Sequence, residues 1–235
     1  MRIRGLPPLS LLLLPAAAIP AQNSETQTQF WPEVDAYVHL NAKARLLFQY
    51  SATRRDDLHT YAEGQAAGFL DIYGLPALQS FDRMHSDKSK NKLLMFRAGY
   101  VFSKTPASSG KVTTEHTPTF LADLRFHLPF KLVVSERNRG DLRYINGVFT
   151  PRYRNRVKVE RGFRTGRFEL APYGMAEAFY DWRYDAFNRY RYTGGGEWTL
   201  NRHIILDASY VRQRDTKSKP EFVNAIAAKL YVYFR

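Results

Sequence analysis

The sequence predicts an all-β fold: a single antiparallel up-and-down transmembrane barrel of about twelve strands, with ten as the alternative. Three observations lead there. The chain opens on a segment with the form of an export signal, continues in segments of about ten residues that alternate apolar and polar side chains, and ends on an aromatic strand.

Residues 1–21 read as a signal peptide. Met1-Arg2-Ile3-Arg4 gives a positive start, Leu9 to Ala18 an apolar run, and Ile19-Pro20-Ala21 before Gln22 a small-residue cleavage site. The run is too short for a membrane span of about 20 residues, and Pro7, Pro8 and Pro15 interrupt the segment. Residues 22–28 form a short N-terminal segment, and 29–235 the barrel domain. Taking Arg2 and Arg4 from the 35 Lys and Arg leaves 33, against 22 Asp and Glu. A pI near 9.9 ordinarily suggests nucleic acid. Here the bases are scattered among acids with no block of like charge, and export argues further against that partner. The absence of cysteine excludes a disulfide framework and a thiolate metal site, and no cofactor or metal is expected. Beyond the leader no stretch approaches 18 consecutive apolar residues, so a helical span is excluded. The mean hydropathy of -0.44 suits a barrel whose inner face is polar.

The strands follow in order. Val34, Ala36, Val38 and Leu40 oppose Glu33, Asp35, Tyr37 and His39; after Asn41, Leu46, Phe48 and Tyr50 oppose Arg45, Leu47 and Gln49. Residues 58–73, rich in Gly and Ala, make a third strand, and 74–91, polar and containing Pro76, a loop. Leu94, Phe96, Ala98, Tyr100 and Phe102 face away from Arg97; Phe120, Ala122, Leu124 and Phe126 face away from Asp123 and Arg125. Pro129 then turns the chain into Phe130 to Arg139. Tyr153, Val157, Val159 and Phe163 oppose Arg154, Arg156, Lys158 and Glu160, and Thr165-Gly166 leads into Phe168 to Trp182. Tyr190, Tyr192, Gly194, Gly196, Trp198 and Leu200 alternate with Arg189, Arg191, Thr193, Gly195, Glu197 and Thr199. Leu200 to His203 has the character of a tight hairpin. Ile204, Leu206, Ala208 and Tyr210 follow, and the last strand sets Ile226, Ala228, Leu230, Val232 and Phe234 against Ala225, Ala227, Lys229, Tyr231 and Tyr233.

These are eleven segments, whereas bacterial single-chain barrels have even strand numbers, so one strand is expected to have escaped the pattern and twelve is preferred to ten. With the C-terminus in the periplasm, the links at 127–130, 165–166 and 200–203 are periplasmic turns. Longer loops around 103–115, 140–152, 182–188 and 215–221 then face outward. Glu136, Asn155 and Arg161 fall on the lipid face, where a midplane Arg costs roughly 2–4 kcal/mol. Pro32 and Pro172 interrupt strand patterns, each marking a strand start or a bulge.

Several short motifs recur in a familiar order: Phe30-Trp31-Pro32-Glu33, Tyr153-Arg154-Asn155-Arg156 with Glu160, Pro172-Tyr173 with Glu177, Arg189-Tyr190-Arg191-Tyr192 with Gly194-Gly195, and the aromatic end. Together they resemble the domain-of-unknown-function 2490 family of bacterial outer-membrane barrels. The resemblance covers nearly the whole mature chain, implies the fold and an outer-membrane location, and implies no activity. The ending, with Tyr231, Tyr233 and Phe234 before Arg235, resembles the signal read by the barrel-insertion machinery.

The inward face collects Glu33, Asp35, Arg45, Arg97, Asp123, Arg125, Arg154, Arg156, Lys158, Glu160, Glu177, Arg191, Glu197, Asp207 and Lys229, with Arg137 and Arg189. Such charges either pair across strands and fill a narrow barrel, the preferred reading, or present a basic surplus as an anion-favouring constriction. No catalytic constellation is assigned. His116 and His85 lack a serine-hydrolase context, and Asp35 and His39 sit about 13 Å apart along one strand face. The expected function is an outer-membrane barrel that is structural or a narrow, anion-leaning channel. It would meet outer-membrane lipids and lipopolysaccharide, and the insertion machinery during biogenesis. An envelope- or lipid-acting enzyme and an exported soluble barrel with a small ligand are the alternatives.

Overall fold

The computed structural model describes residues 26–55, 60–73, 92–106, 112–165 and 168–234. The signal peptide read at 1–21 and the loop read at 74–91 lie outside them. The strands are β1 (Thr26–His39), β2 (Ala44–Arg55), β3 (Thr60–Tyr73), β4 (Leu94–Thr105), β5 (Thr113–Leu128), β6 (Leu132–Asp141), β7 (Tyr144–Ile145), β8 (Val148–Phe149), β9 (Arg152–Arg161), β10 (Phe163–Thr165), β11 (Phe168–Asp181), β12 (Ala186–Thr199), β13 (Ile204–Asp215) and β14 (Phe222–Phe234). Eleven of them, β1–β6, β9 and β11–β14, close into a barrel. β7 and β8 form a small hairpin within the 142–151 connection, and β10 extends the line of β9 against β11.

The wall has eleven strands, not twelve or ten. An odd number of strands that alternate in direction leaves the first and last pointing the same way, so the barrel can close only through a parallel pair. β1 and β14 form that pair, from Thr26 beside Phe222 to Val38 beside Phe234. The even-number expectation therefore fails at the seam, and the segments read from alternation are the wall strands themselves. The wall also starts at Thr26, inside the segment assigned to 22–28.

Alternation places apolar side chains outside. Phe96, Phe126, Phe168 and Trp198 lie toward one end, and Tyr50, Tyr100, Tyr190, Tyr192 and Tyr210 toward the other, all exposed, with small residues such as Ala98, Ala122, Gly194 and Ala208 between. This is the two-girdle exterior of a transmembrane barrel. The first end carries the tight links at 40–43, Pro129–Lys131 and 200–203; we call it the turn end, and the opposite one the loop end. The division of long loops from short turns has one exception. β3 finishes and β4 starts at the turn end, so the long connection between Tyr73 and Leu94 belongs there.

Neither proline marks a strand start or a bulge. Pro32 lies inside β1, opposite Ala228, at a gap in the β1–β2 ladder whose register is the same on both sides. Pro172 lies inside β11, where the facing strand breaks between β9 and β10. A missing N–H costs little where the ladder is already open. The register shifts are elsewhere, at Thr53/Arg54 and Phe179/Tyr180.

The polar residues on the outer face find partners there. Arg161 lies 4.9 Å over the Phe163 ring at the turn-end girdle. Asn155 donates to Glu136 Oε1 at 3.1 Å and to Asn138 Oδ1 at 3.0 Å, Asn138 donates to Glu136 at 3.3 Å, and the Tyr153 hydroxyl donates to Asn138. Asn155 is the donor shared by both acceptors. Asn155→Leu is expected to destabilise the folded barrel by about 1–2 kcal/mol, because it strips a donor from a carboxylate that faces hydrocarbon. Urea unfolding in lipid vesicles measures this, with Val157→Leu on the same strand as the near-neutral reference.

Candidate functional site

Inside the barrel is a cavity of about 710 Å³. Its floor is at the turn end, where Tyr37, Leu47, Phe69, Val101, Ile205 and Tyr233 form one buried cluster with Tyr231 packed against it. Tyr37 stacks on Tyr233 with ring centroids 4.9 Å apart. A second cluster, Tyr73, Met95 and Leu121, lies beside it. Between these sits a buried ion triad. Asp71 accepts from Arg45 Nε at 2.8 Å and from Arg97 Nε and Nη2 at 2.5 and 2.9 Å.

All fifteen charged residues singled out from the sequence line this cavity. Register decides which of them meet. Lys158 bridges Glu160 and Glu197 at 2.6 and 2.8 Å. Lys229 pairs with Glu33, while Gln49 donates to Glu33 at 2.5 Å and Asp35 at 3.0 Å. The Tyr173 hydroxyl donates to Asp207 at 2.9 Å. Arg154 donates twice to Glu177 Oε1, at 3.0 and 2.7 Å, and Arg191 approaches the other oxygen at 3.7 Å. Arg156 meets no glutamate in this way; its ion-pair partner is Asp123, at 3.9 Å.

Several lumen residues escaped sequence reading. Asp71 sits in the Gly- and Ala-rich strand where alternation is faint. Arg139, Asp141, Arg143 and Arg152 lie at or beyond strand ends, in or next to the stretch read as a loop. Continuing the two-residue period of β6 past Arg137 would have found Arg139 and Asp141. The fully buried Asp141 accepts from Arg139 at 2.6 Å, from Arg152 at 2.9 Å and from Thr119 at 3.0 Å. Arg143 joins Glu115 at 2.8 Å to Asp181 at 3.2 Å. In the turn beyond β11, Arg183 is held above its ordinary basicity by its hydrogen bonds to Asp181.

With these included, the basic surplus becomes local. Toward the loop end, Arg55, Arg137, Arg139, Arg143, Arg152, Arg154, Arg156, Arg189, Arg191 and Lys219 stand against Glu63, Glu115, Asp123, Asp141, Glu177, Asp181 and Asp215, ten bases to seven acids. Toward the turn end, Glu33, Asp35, Asp71, Glu160, Glu197 and Asp207 are nearly balanced by Arg45, Arg97, Arg125, Lys158 and Lys229, six acids to five bases. Among the described residues no group of His, Cys, Asp and Glu is arranged to hold a metal.

A closed barrel, apolar outside and charge-lined inside, defines a protein of the outer-membrane type. This chain belongs to the family of proteins of unknown function DUF2490, whose model matches residues 28–224. Among solved structures it is similar to the beta domain of the Bordetella autotransporter BrkA, with 14% identity, 83% of each chain covered and a TM-score of 0.45. No curated protein matches it.

Proposed function

We propose that the protein is exported, inserts in the outer membrane through its aromatic C-terminal strand, and there forms a barrel with a narrow, charge-filled lumen and no wide pore. The turn-end floor carries this reading. Apolar and aromatic side chains, together with the Arg45–Asp71–Arg97 triad, occupy the cross-section that a diffusion pore would leave to water. The aromatic girdles suit contact with outer-membrane lipids and lipopolysaccharide, and a soluble barrel would gain nothing from exposing them. The arginine-rich loop-end half gives the mouth its preference for anions. In planar bilayers the full-length protein is expected to give small or no conductance steps. Stable, wide openings would overturn the narrow lumen.

A further inference from the structure

We infer that the loop-end arginine territory is a binding site for a doubly charged phosphate group, held by the guanidinium groups of Arg137, Arg154, Arg156 and Arg191. The inference deepens the narrow-lumen reading and rests on it, because a blind lumen holds an ion that a pore would pass.

Register supplies the first reason. Across the β6–β9 ladder Arg137 stands directly opposite Arg156, and Arg139 directly opposite Arg154. Directly opposed side chains have Cβ atoms about 4.5–5.5 Å apart, where like charges destabilise a sheet. Elsewhere in the lumen most opposed charges are complementary, as Asp71 with Arg45 and Arg97 and Lys229 with Glu33 and Asp207; Glu197 opposite Asp207 is an acid pair, and Lys158 donates to Glu197 at 2.8 Å. Two stacked Arg–Arg pairs are a cost to folding that a bound anion removes.

The acids nearby leave part of this charge uncompensated. Asp123 is shared by three guanidinium groups, Arg137 at 2.6 Å, Arg125 at 3.3 Å and Arg156 at 3.9 Å. Arg156 Nε is buried and makes no hydrogen bond. Arg191 directs its shortest hydrogen bonds, 2.7 and 3.1 Å, to the neutral Gln213. A planar fork of N–H donors matches phosphate oxygens in pairs, so several forks on adjacent strands select a phosphate over a monovalent halide. Glu160, Glu197 and Asp207 lie closer to the floor. An anion entering from the loop end is drawn to the arginines and repelled by the acids below them, so it stays.

The test is calorimetric titration of the refolded full-length protein in detergent micelles, at fixed ionic strength, with inorganic phosphate, glucose 1-phosphate and chloride. Both phosphates are expected to bind at least about tenfold more tightly than chloride. Whichever binds more tightly identifies the source as the free ion or a phosphorylated sugar head. Arg156→Gln is expected to weaken binding about tenfold, while Arg214→Gln, outside the barrel and paired with Glu221, leaves it unchanged. Arg156→Lys keeps the charge without the fork, is expected to weaken phosphate measurably, and carries the test if the glutamine variant does not fold. Phosphate binding no tighter than chloride, or unchanged in both Arg156 variants, overturns the site. Wide bilayer conductance with phosphate binding intact would sink the closed lumen and leave the site standing.

Discussion

Asp71→Ala is expected to destabilise the folded barrel by about 3–5 kcal/mol, the cost of removing one partner from a buried ion pair and stranding the other. Here two partners are stranded. Asp71 is wholly buried, and the side chains of Arg45 and Arg97 are only 3% and 10% exposed, so both guanidinium groups would lose their carboxylate where little water reaches them. Arg45 also lies 4.0 Å over the Tyr37 ring and Arg97 5.2 Å over that of Phe69, so both charges are pinned among aromatic side chains. Asp71→Asn, which keeps an acceptor without the charge, should fall between alanine and wild type. The triple change Arg45→Met, Asp71→Leu, Arg97→Met should recover most of the loss, since apolar residues of similar volume replace buried ionic groups at little cost. Urea titration in vesicles, followed by tryptophan fluorescence and heat-dependent gel mobility, reads all of these. A loss below about 1 kcal/mol for Asp71→Ala would mean that water reaches the triad, and the floor would not be closed.

The contrast between what was legible in the sequence and what was not has a physical cause. Alternation reports which face a residue occupies, and for that reason all fifteen predicted residues line the cavity. It does not report which residue stands opposite. Sliding a strand by two positions keeps every side chain on its face and changes every partner, so pairing depends on register, which turns and long-range contacts set. Hence Arg154 with Glu177 could be expected only as one pairing among several, and Arg156 opposite Arg137 could not be expected at all. Strand number failed for a different reason. Alternation gave eleven segments, and a parity rule drawn from other barrels then displaced that count, although a parallel β1–β14 seam satisfies every backbone ladder requirement at an odd number. The 142–151 connection hid Arg143 because its loop composition carries no periodicity, yet its backbone is pinned to β5 through Leu142 and Asn146.

The glycines of β12 give the sharpest separation of face from fit. Gly194, Gly195 and Gly196 are consecutive, and the sequence offers no ground for ranking them. Gly195 points inward opposite Ser209, and a Cβ added there would meet Ser209 Cβ in hard overlap, with the Ala208 carbonyl oxygen at 2.7 Å and Ser209 Cα at 2.9 Å. Two of these three atoms are backbone, so no rotamer change relieves the contact and β12 must move away from β13. Gly194 points outward, and a Cβ there meets nothing within 4 Å. Gly195→Ala is therefore expected to cost about 1–3 kcal/mol as an overpacked site. Gly194→Ala should be neutral or stabilising by up to about 1 kcal/mol, because alanine loses less chain entropy on folding. Gly99 repeats the inward case on β4: its added Cβ would collide with the Gly68 carbonyl oxygen and lie 2.8 Å from Phe69 Cα, so Gly99→Ala should resemble Gly195→Ala. Because Gly99 faces Phe69 of the floor, its substitution should also loosen the lumen and raise bilayer conductance, which Gly195→Ala should not do. Equal stability of the Gly194 and Gly195 variants would show that the strands separate at no cost, and the close approach would then have no part in shaping the barrel.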